Sequence, residues 1–248
     1  MHFRSPAADL PSVGQRLSDV PVSTRHLARL QLALGSTLLA MLVAVGLLIV
    51  RPRLAGPETA LLNRLVPLGP DWLGTLAVVL SVVFAPVGAV LIAGLVGLVV
   101  ALRNGLVCAL HYWWTVGVVV FVTTVIKLVV HRPRPDPALL MVARAPGTGS
   151  LSFPSGHTVF ATVLVLALVF LATTTTRRVL VVALACVAGI CMGFVRLYVG
   201  AHFPTDILAS YVCVAAGATL AQAGWLRLVD PLLAPLHEPG AKSMARAS

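Results

Sequence analysis

Long runs of residues with almost no charge recur along this chain, at about 30–50, 73–102, 106–127, 157–175, 179–196 and 206–227. About 20 apolar residues in a helix cross a hydrocarbon core, and a chain of 248 residues that is 58% hydrophobic and 10% charged has far more apolar surface than a soluble domain of its length can cover. The runs are continuous rather than alternating, and lipid accepts only helices or closed barrels, so they are expected to be helices. The expected fold is all-α: a polytopic membrane protein whose six-helix bundle occupies residues 26–231, between cytoplasmic tails at 1–25 and 232–248. The run from Trp72 to Leu102 exceeds one crossing and contains Pro86. It is taken as one span, tilted or kinked, with a broken pair as the alternative.

Lys and Arg number 18 against 8 Asp and Glu. In a soluble protein that excess would point to nucleic acid. Here the basic residues fall between spans, so the charge is read as topology and as affinity for an anionic substrate, with no nucleic-acid partner expected. With the N-terminus inside, Arg4, Arg16, Arg25, Arg29, Arg103, Arg177, Arg178, Arg227, Lys242 and Arg246 lie in the cytoplasm. Arg51, Arg53, Arg64, Lys127, Arg132, Arg134, Arg144 and Arg196 lie on the other side. The difference between the two sets is small, and chemistry claims part of the second. The first span lacks a small-residue cleavage site and is expected to be a retained helix. Cys108, Cys186, Cys191 and Cys213 fall inside spans without metal-ligand spacing and are read as small buried side chains.

Three polar clusters meet at one face of this bundle. The first is Lys127-Leu-Val-Val-His131-Arg132-Pro133-Arg134-Pro135, where the prolines stop the helix and hold Arg134 on stiff backbone. The second, Phe153-Pro154-Ser155-Gly156-His157, opens the fourth span, with Ser155 as the expected N-cap and Gly156 allowing close approach to helix-end amides that favour an anion. The third, Arg196-Leu-Tyr-Val-Gly-Ala-His202-Phe-Pro-Thr-Asp206, sets a carboxylate one turn after a histidine that Pro204 places just before the regular helix. Each has a plainer reading as a snorkelling cation, a capped helix start, or an interfacial His with a capping Asp. Ionisable residues at a membrane edge are nevertheless candidates for function.

Together the clusters contain the parts of a phosphoryl transfer. Lys127, Arg134 and Arg196 neutralise oxygens, His202 oriented by Asp206 supplies an imidazole lone pair, and His157 is a second imidazole able to act as an acid. Glu58, Asp71, Asp136 and Asp206 are too scattered for a two-metal site, so neither a metal nor a cofactor is expected.

These residues resemble the three-part signature of the type 2 phosphatidate phosphatase superfamily, which includes polyprenyl diphosphate phosphatases and vanadium haloperoxidases. Lys-x6-Arg-Pro matches Lys127 to Arg134-Pro135, Pro-Ser-Gly-His matches 154–157, and Ser-Arg-x5-His-x3-Asp matches Arg196, His202 and Asp206, with Val195 in place of the usual Ser. The resemblance implies that His202 attacks phosphorus to form a phosphohistidine, that Asp206 orients it and that His157 protonates the leaving oxygen. It likewise implies that Lys127, Arg134, Ser155, Gly156 and Arg196 hold the phosphate. The loss of the hydroxyl at 195 is expected to matter little.

The expected function is therefore a metal-independent lipid phosphatase of the inner membrane with its site on the extracytoplasmic side. Polyprenyl diphosphate is the first substrate and phosphatidate or phosphatidylglycerol phosphate the next. An anionic-lipid transporter and an inactive binding protein are the alternatives; a haloperoxidase is disfavoured by the membrane embedding. Pro57 to Leu65 reads either as a short interfacial helix flanking the lipid entrance or as a plain connection. Of the remaining histidines, His111 is expected to bond between helices and His131 sits off the fixed motif positions, while Tyr198 and Phe203 are read as interfacial anchors.

Overall fold

The computed structural model describes residues 21–50, 55–65, 70–141, 144 and 151–237, so most of both expected tails lies outside the described residues. All regular structure in these residues is helical. The helices are α1 (Val22–Ile49), α2 (Ala55–Leu65), α3 (Asp71–Val83), α4 (Pro86–Asn104), α5 (Leu106–Val130), α6 (Gly156–Leu166), α7 (Thr175–Tyr198), α8 (Pro204–Gly224) and α9 (Asp230–His237). A short turn at Val169–Leu171 extends α6, and a π-helical segment at Trp225–Val229 joins α8 to α9.

Among the described residues, five helical stretches are long and apolar enough to span a membrane: Val22–Ile49, Pro86–Asn104, Leu106–Val130, Thr175–Tyr198 and Pro204–Leu233. The expected six uniform spans are therefore corrected in two places. The 72–102 run is a broken pair, not one span: α3 ends at Val83 and α4 begins at Pro86. Pro86 has no N–H to continue the helix and forces Ala85 into extended backbone, at ψ 163°. The break is so tight that a Cβ on Gly88 would meet the Val83 carbonyl, which only glycine permits. The expected 157–175 span is a shorter apolar helix, Gly156–Leu171 with its terminal turn.

The core forms where α1, α5, α6 and α8 meet, with Tyr112, Val119, Ile126, Phe153, Val163 and Cys213 fully enclosed or nearly so. A second cluster of Ala77, Ala161, Met192, Val195, Tyr198 and Val199 joins α3 to α6 and α7. At the end of the bundle remote from the three motifs, His111 is stacked between Phe170 and Trp225 and bonds Gln222 Oε1 at 2.9 Å, the expected helix-to-helix link. Of the cysteines, Cys213 is buried as expected, whereas Cys186 and Cys191 are exposed on the outer side of α7.

Candidate active site

The end of α5, the starts of α6 and α8 and the end of α7 converge at one end of the bundle. His131 makes this possible: it caps α5 in the left-handed region, at φ 52°, its N–H closing on the Lys127 carbonyl at 2.9 Å. The turn sends Arg132 into the protein, where it is 2% exposed. α8 begins with Pro204 at its first turn, so His202 does precede the helix.

A cavity of about 1090 Å³ opens here, and Lys127, His131, Arg134, Gly156, His157, Arg196 and His202 all reach its wall. Lys127 Nζ donates to the Leu151 carbonyl at 2.9 Å. A Cβ on Gly156 would meet just the Lys127 side chain, at 3.7 Å, so the α6 terminus is open to a ligand. The first-turn amides of that helix have no intrahelical acceptor, which suits an anion. Arg196 is 4% exposed and its Nε has no hydrogen-bond partner. Burial lowers the Arg134 pKa from its ordinary value, partly offset by the Asp206 charge.

Both ring nitrogens of His202 lack a formed hydrogen bond, yet Nδ1 lies 3.4 Å from Asp206 Oδ2, within ion-pair reach. Active-site bonds of this kind often tighten only when substrate binds. Burial drives the His202 pKa down to about 3 against the opposing pull of Asp206, with Lys127 and Arg196 lowering it further, so the imidazole is neutral with a lone pair available. Nε2 of His157 donates to the Ser81 carbonyl at 3.0 Å.

Two expected site residues sit behind the wall instead of on it. Ser155 occupies the N-cap position of α6 but makes no side-chain cap bond; it is fully buried, and its hydroxyl accepts from Thr158 at 3.1 Å. Its N–H donates to the Asp206 carbonyl and to Ser210 Oγ, which stitches the start of α6 to α8. Asp206, also fully buried, accepts from the Phe203 N–H through Oδ2 at 2.9 Å.

Several residues escaped the sequence reading. Arg132 donates to Asp206 Oδ1 at 2.6 Å and to Glu58 Oε2 at 2.5 Å, and lies over the Phe203 ring at 4.2 Å. Arg144 also lines the cavity, with its guanidinium 4.7 Å above the Tyr198 ring and Nη1 without a partner. Tyr198 and Phe203 are thus buried platforms for guanidinium groups, not interfacial anchors, since they are 3% and 5% exposed. The segment after Pro57 is helical, and among the described residues no side chain of α2 lines the cavity. Val195 is 7% exposed and packs in the α3/α6/α7 cluster, which explains why an apolar residue suits that position.

Beyond the polar end the cavity continues between α3, α4 and α5 along Val82, Pro86, Val90, Ala93, Val116 and Val120. From Leu128 to Val116 this apolar wall follows α5 for about 18 Å at 1.5 Å per residue.

The sequence model of the PAP2 superfamily matches residues 108–228. Undecaprenyl-diphosphatase BcrC of Bacillus subtilis is 34% identical over 87 residues, which is 35% of this chain and 42% of that protein. The chain thus aligns with less than half the length of that curated relative. A solved structure, the PAP2 type phosphatidylglycerolphosphate phosphatase from Bacillus subtilis, shares the fold at a TM-score of 0.62 and 20% identity, over 80% of this chain and 96% of that one.

Proposed function

The chain belongs to the PAP2 superfamily through residues 108–228, and from that premise we propose that this multi-pass membrane phosphatase hydrolyses a lipid diphosphate, a polyprenyl diphosphate first, by a metal-independent phosphohistidine route. One observation carries the reading: a single cavity has Lys127, Arg134, Arg196 and two histidines at one end and an apolar wall at the other. That division fits an amphiphile whose phosphate is held by cations while its tail stays among helices and lipid.

Nε2 of His202 attacks the terminal phosphorus as the bond to the leaving oxygen breaks, and positive charge develops on the imidazole against Asp206. The departing oxygen takes a proton from His157, leaving the lipid monophosphate. Water, deprotonated by His157, then attacks the phosphohistidine and releases inorganic phosphate. Lys127, Arg134, Arg196 and the Gly156 terminus stabilise the oxygens throughout, the dominant contribution in phosphoryl transfer. Ser155 contributes by fixing the α6 start from behind. The nearby carboxylates Asp206 and Glu58 are both engaged with Arg132, which favours cationic side chains over a divalent ion as the charge-neutralising device.

The similarity to an undecaprenyl-diphosphatase and the additional cation Arg144 on the wall favour the diphosphate. The site is assigned to the extracytoplasmic side of the inner membrane, as for a chain whose N-terminus lies inside. Phosphatidylglycerol phosphate is the second substrate class, because the structural neighbour of the same fold is named for it. Phosphate release from both lipids by wild type and His202→Ala, in detergent with excess EDTA, tests the reading. Release by wild type alone supports it; release abolished by EDTA or retained by the variant overturns the mechanism, and transport of lipid without release favours the transporter alternative.

A further inference from the structure

Asp206 divides its two oxygens between opposite tasks. Oδ2 faces His202 Nδ1, while Oδ1 accepts from Arg132 Nη1 at 2.6 Å. A buried guanidinium with Asp206 as its single counterion would draw the carboxylate charge away from the imidazole, where positive charge must be stabilised during attack on phosphorus. Glu58 removes that conflict. Its Oε2 takes the other arm of Arg132 at 2.5 Å, and its Oε1 accepts from the backbone N–H and hydroxyl of Thr205, at 3.0 and 2.7 Å. Arg132 also donates to Thr205 Oγ1 at 2.7 Å. Glu58, Arg132 and Asp206 together carry one net negative charge, and Asp206 is the member that faces His202.

Glu58 belongs to α2, outside the residues matched to the superfamily. The same helix holds the segment after the first motif through Asn63, whose Nδ2 donates to the Leu139 carbonyl at 2.9 Å and whose Oδ1 accepts from the Met141 N–H at 2.8 Å. Leu62 anchors the helix from below, with no exposed surface. We propose that Glu58 is a positioning residue for the reaction: it neutralises Arg132 so that Asp206 keeps its charge for His202, and it couples the α2 helix to the nucleophile. The inference rests on His202 being the nucleophile.

Glu58→Gln preserves shape and one acceptor for Thr205 but turns N–H donors toward Arg132. We expect kcat to fall by about tenfold or more with KM within about twofold, the pattern of an interaction lost in the transition state. Glu58→Asp retains the charge and should keep more of kcat than Glu58→Gln. Replacing both partners, Glu58→Gln with Arg132→Gln, removes the unbalanced cation and should recover kcat relative to Glu58→Gln alone. A double variant no better than the single one, or a rise in KM with kcat unchanged, overturns the inference. A second readout is independent of turnover: the Nδ1 proton resonance of His202, assigned by its loss in His202→Asn, should move in Glu58→Gln as the bond to Asp206 weakens. An unmoved resonance sinks the positioning role even where His202 is the nucleophile. A resonance that shifts in Glu58→Gln, together with activity that survives His202→Ala, would uphold the coupling and reject the catalytic reading instead.

Discussion

His157, on α6, donates from Nε2 to the Ser81 carbonyl of α3, 3.0 Å away, so the residue assigned as the acid is held by a helix outside the three motifs. The break at Phe84–Pro86 frees carbonyls at the end of α3, and this one fixes the ring. In the transfer step the imidazole must release this bond or donate from Nδ1.

If His157 protonates the leaving oxygen, its removal should matter in proportion to how poor the leaving group is. His157→Ala is expected to lose about 100-fold or more in kcat on a lipid phosphate monoester, the usual scale of general acid catalysis. On an aryl phosphate, whose phenolate departs without a proton, the loss should be much smaller. Equal losses on both esters, measured by phosphate release, would assign His157 to phosphate binding instead.

Arg144 separates two substrate classes. Its backbone N–H donates to the Val199 carbonyl at 3.3 Å, and a Cβ on Gly74 would strike its side chain, so neighbouring elements leave room for the guanidinium beside the cavity. Nη1 can donate to an oxygen of the second phosphate. Arg144→Ala is expected to lower kcat/KM on a polyprenyl diphosphate by about tenfold, roughly one charge-assisted hydrogen bond. On the corresponding monophosphate the change should stay within about twofold, as for a lost rim contact. Parallel losses on both lipids would remove Arg144 from substrate selection.

The pH dependence of stability follows from His202. Its pKa lies near 3 when folded, against about 6.5 in an unfolded chain. Between these values the unfolded chain binds a proton that the folded protein refuses, so stability rises with pH and is lost as the pH falls from 6.5 toward 3; above 6.5 the contribution is constant. Tm in detergent should fall more steeply below pH 6.5 for wild type than for His202→Asn. Parallel curves would mean that His202 is solvated or already protonated.

The motifs were legible because phosphoryl transfer demands particular side chains, and helix counting alone brought Lys127, His157, Arg196 and His202 to one end. The partners of those residues were not. Glu58 stands in a segment whose amphipathic pattern fits an interfacial helix as well as a strap, and its bond to Arg132 crosses 74 positions of sequence. Arg132 looked like one more cation beside Arg134 until the left-handed turn at His131 directed it inward. The break at Pro86 was visible as a proline, but whether a kinked helix or a broken pair results depends on the local backbone, which brings Gly88 tightly against the Val83 carbonyl. Arg144 carried no spacing signal, because its role depends on Tyr198 lying flat beneath it.

Gly117 tests the apolar half of the cavity without touching the phosphate end. It lines the cavity on α5, and a Cβ there meets no atom within 4 Å. Ten residues separate it from Lys127, about 15 Å along the helix. A phenylalanine at 117 should therefore fold without clash, helped by the better helix propensity of phenylalanine over glycine. Its ring would occupy the space that a long tail needs. For Gly117→Phe, kcat/KM on a long polyprenyl diphosphate is expected to drop by about tenfold or more, the scale of losing one or two buried apolar contacts. A short-chain phosphate, whose tail ends before residue 117, should be hydrolysed as by wild type. Unchanged turnover of the long lipid would place its tail outside this cavity, against the bilayer.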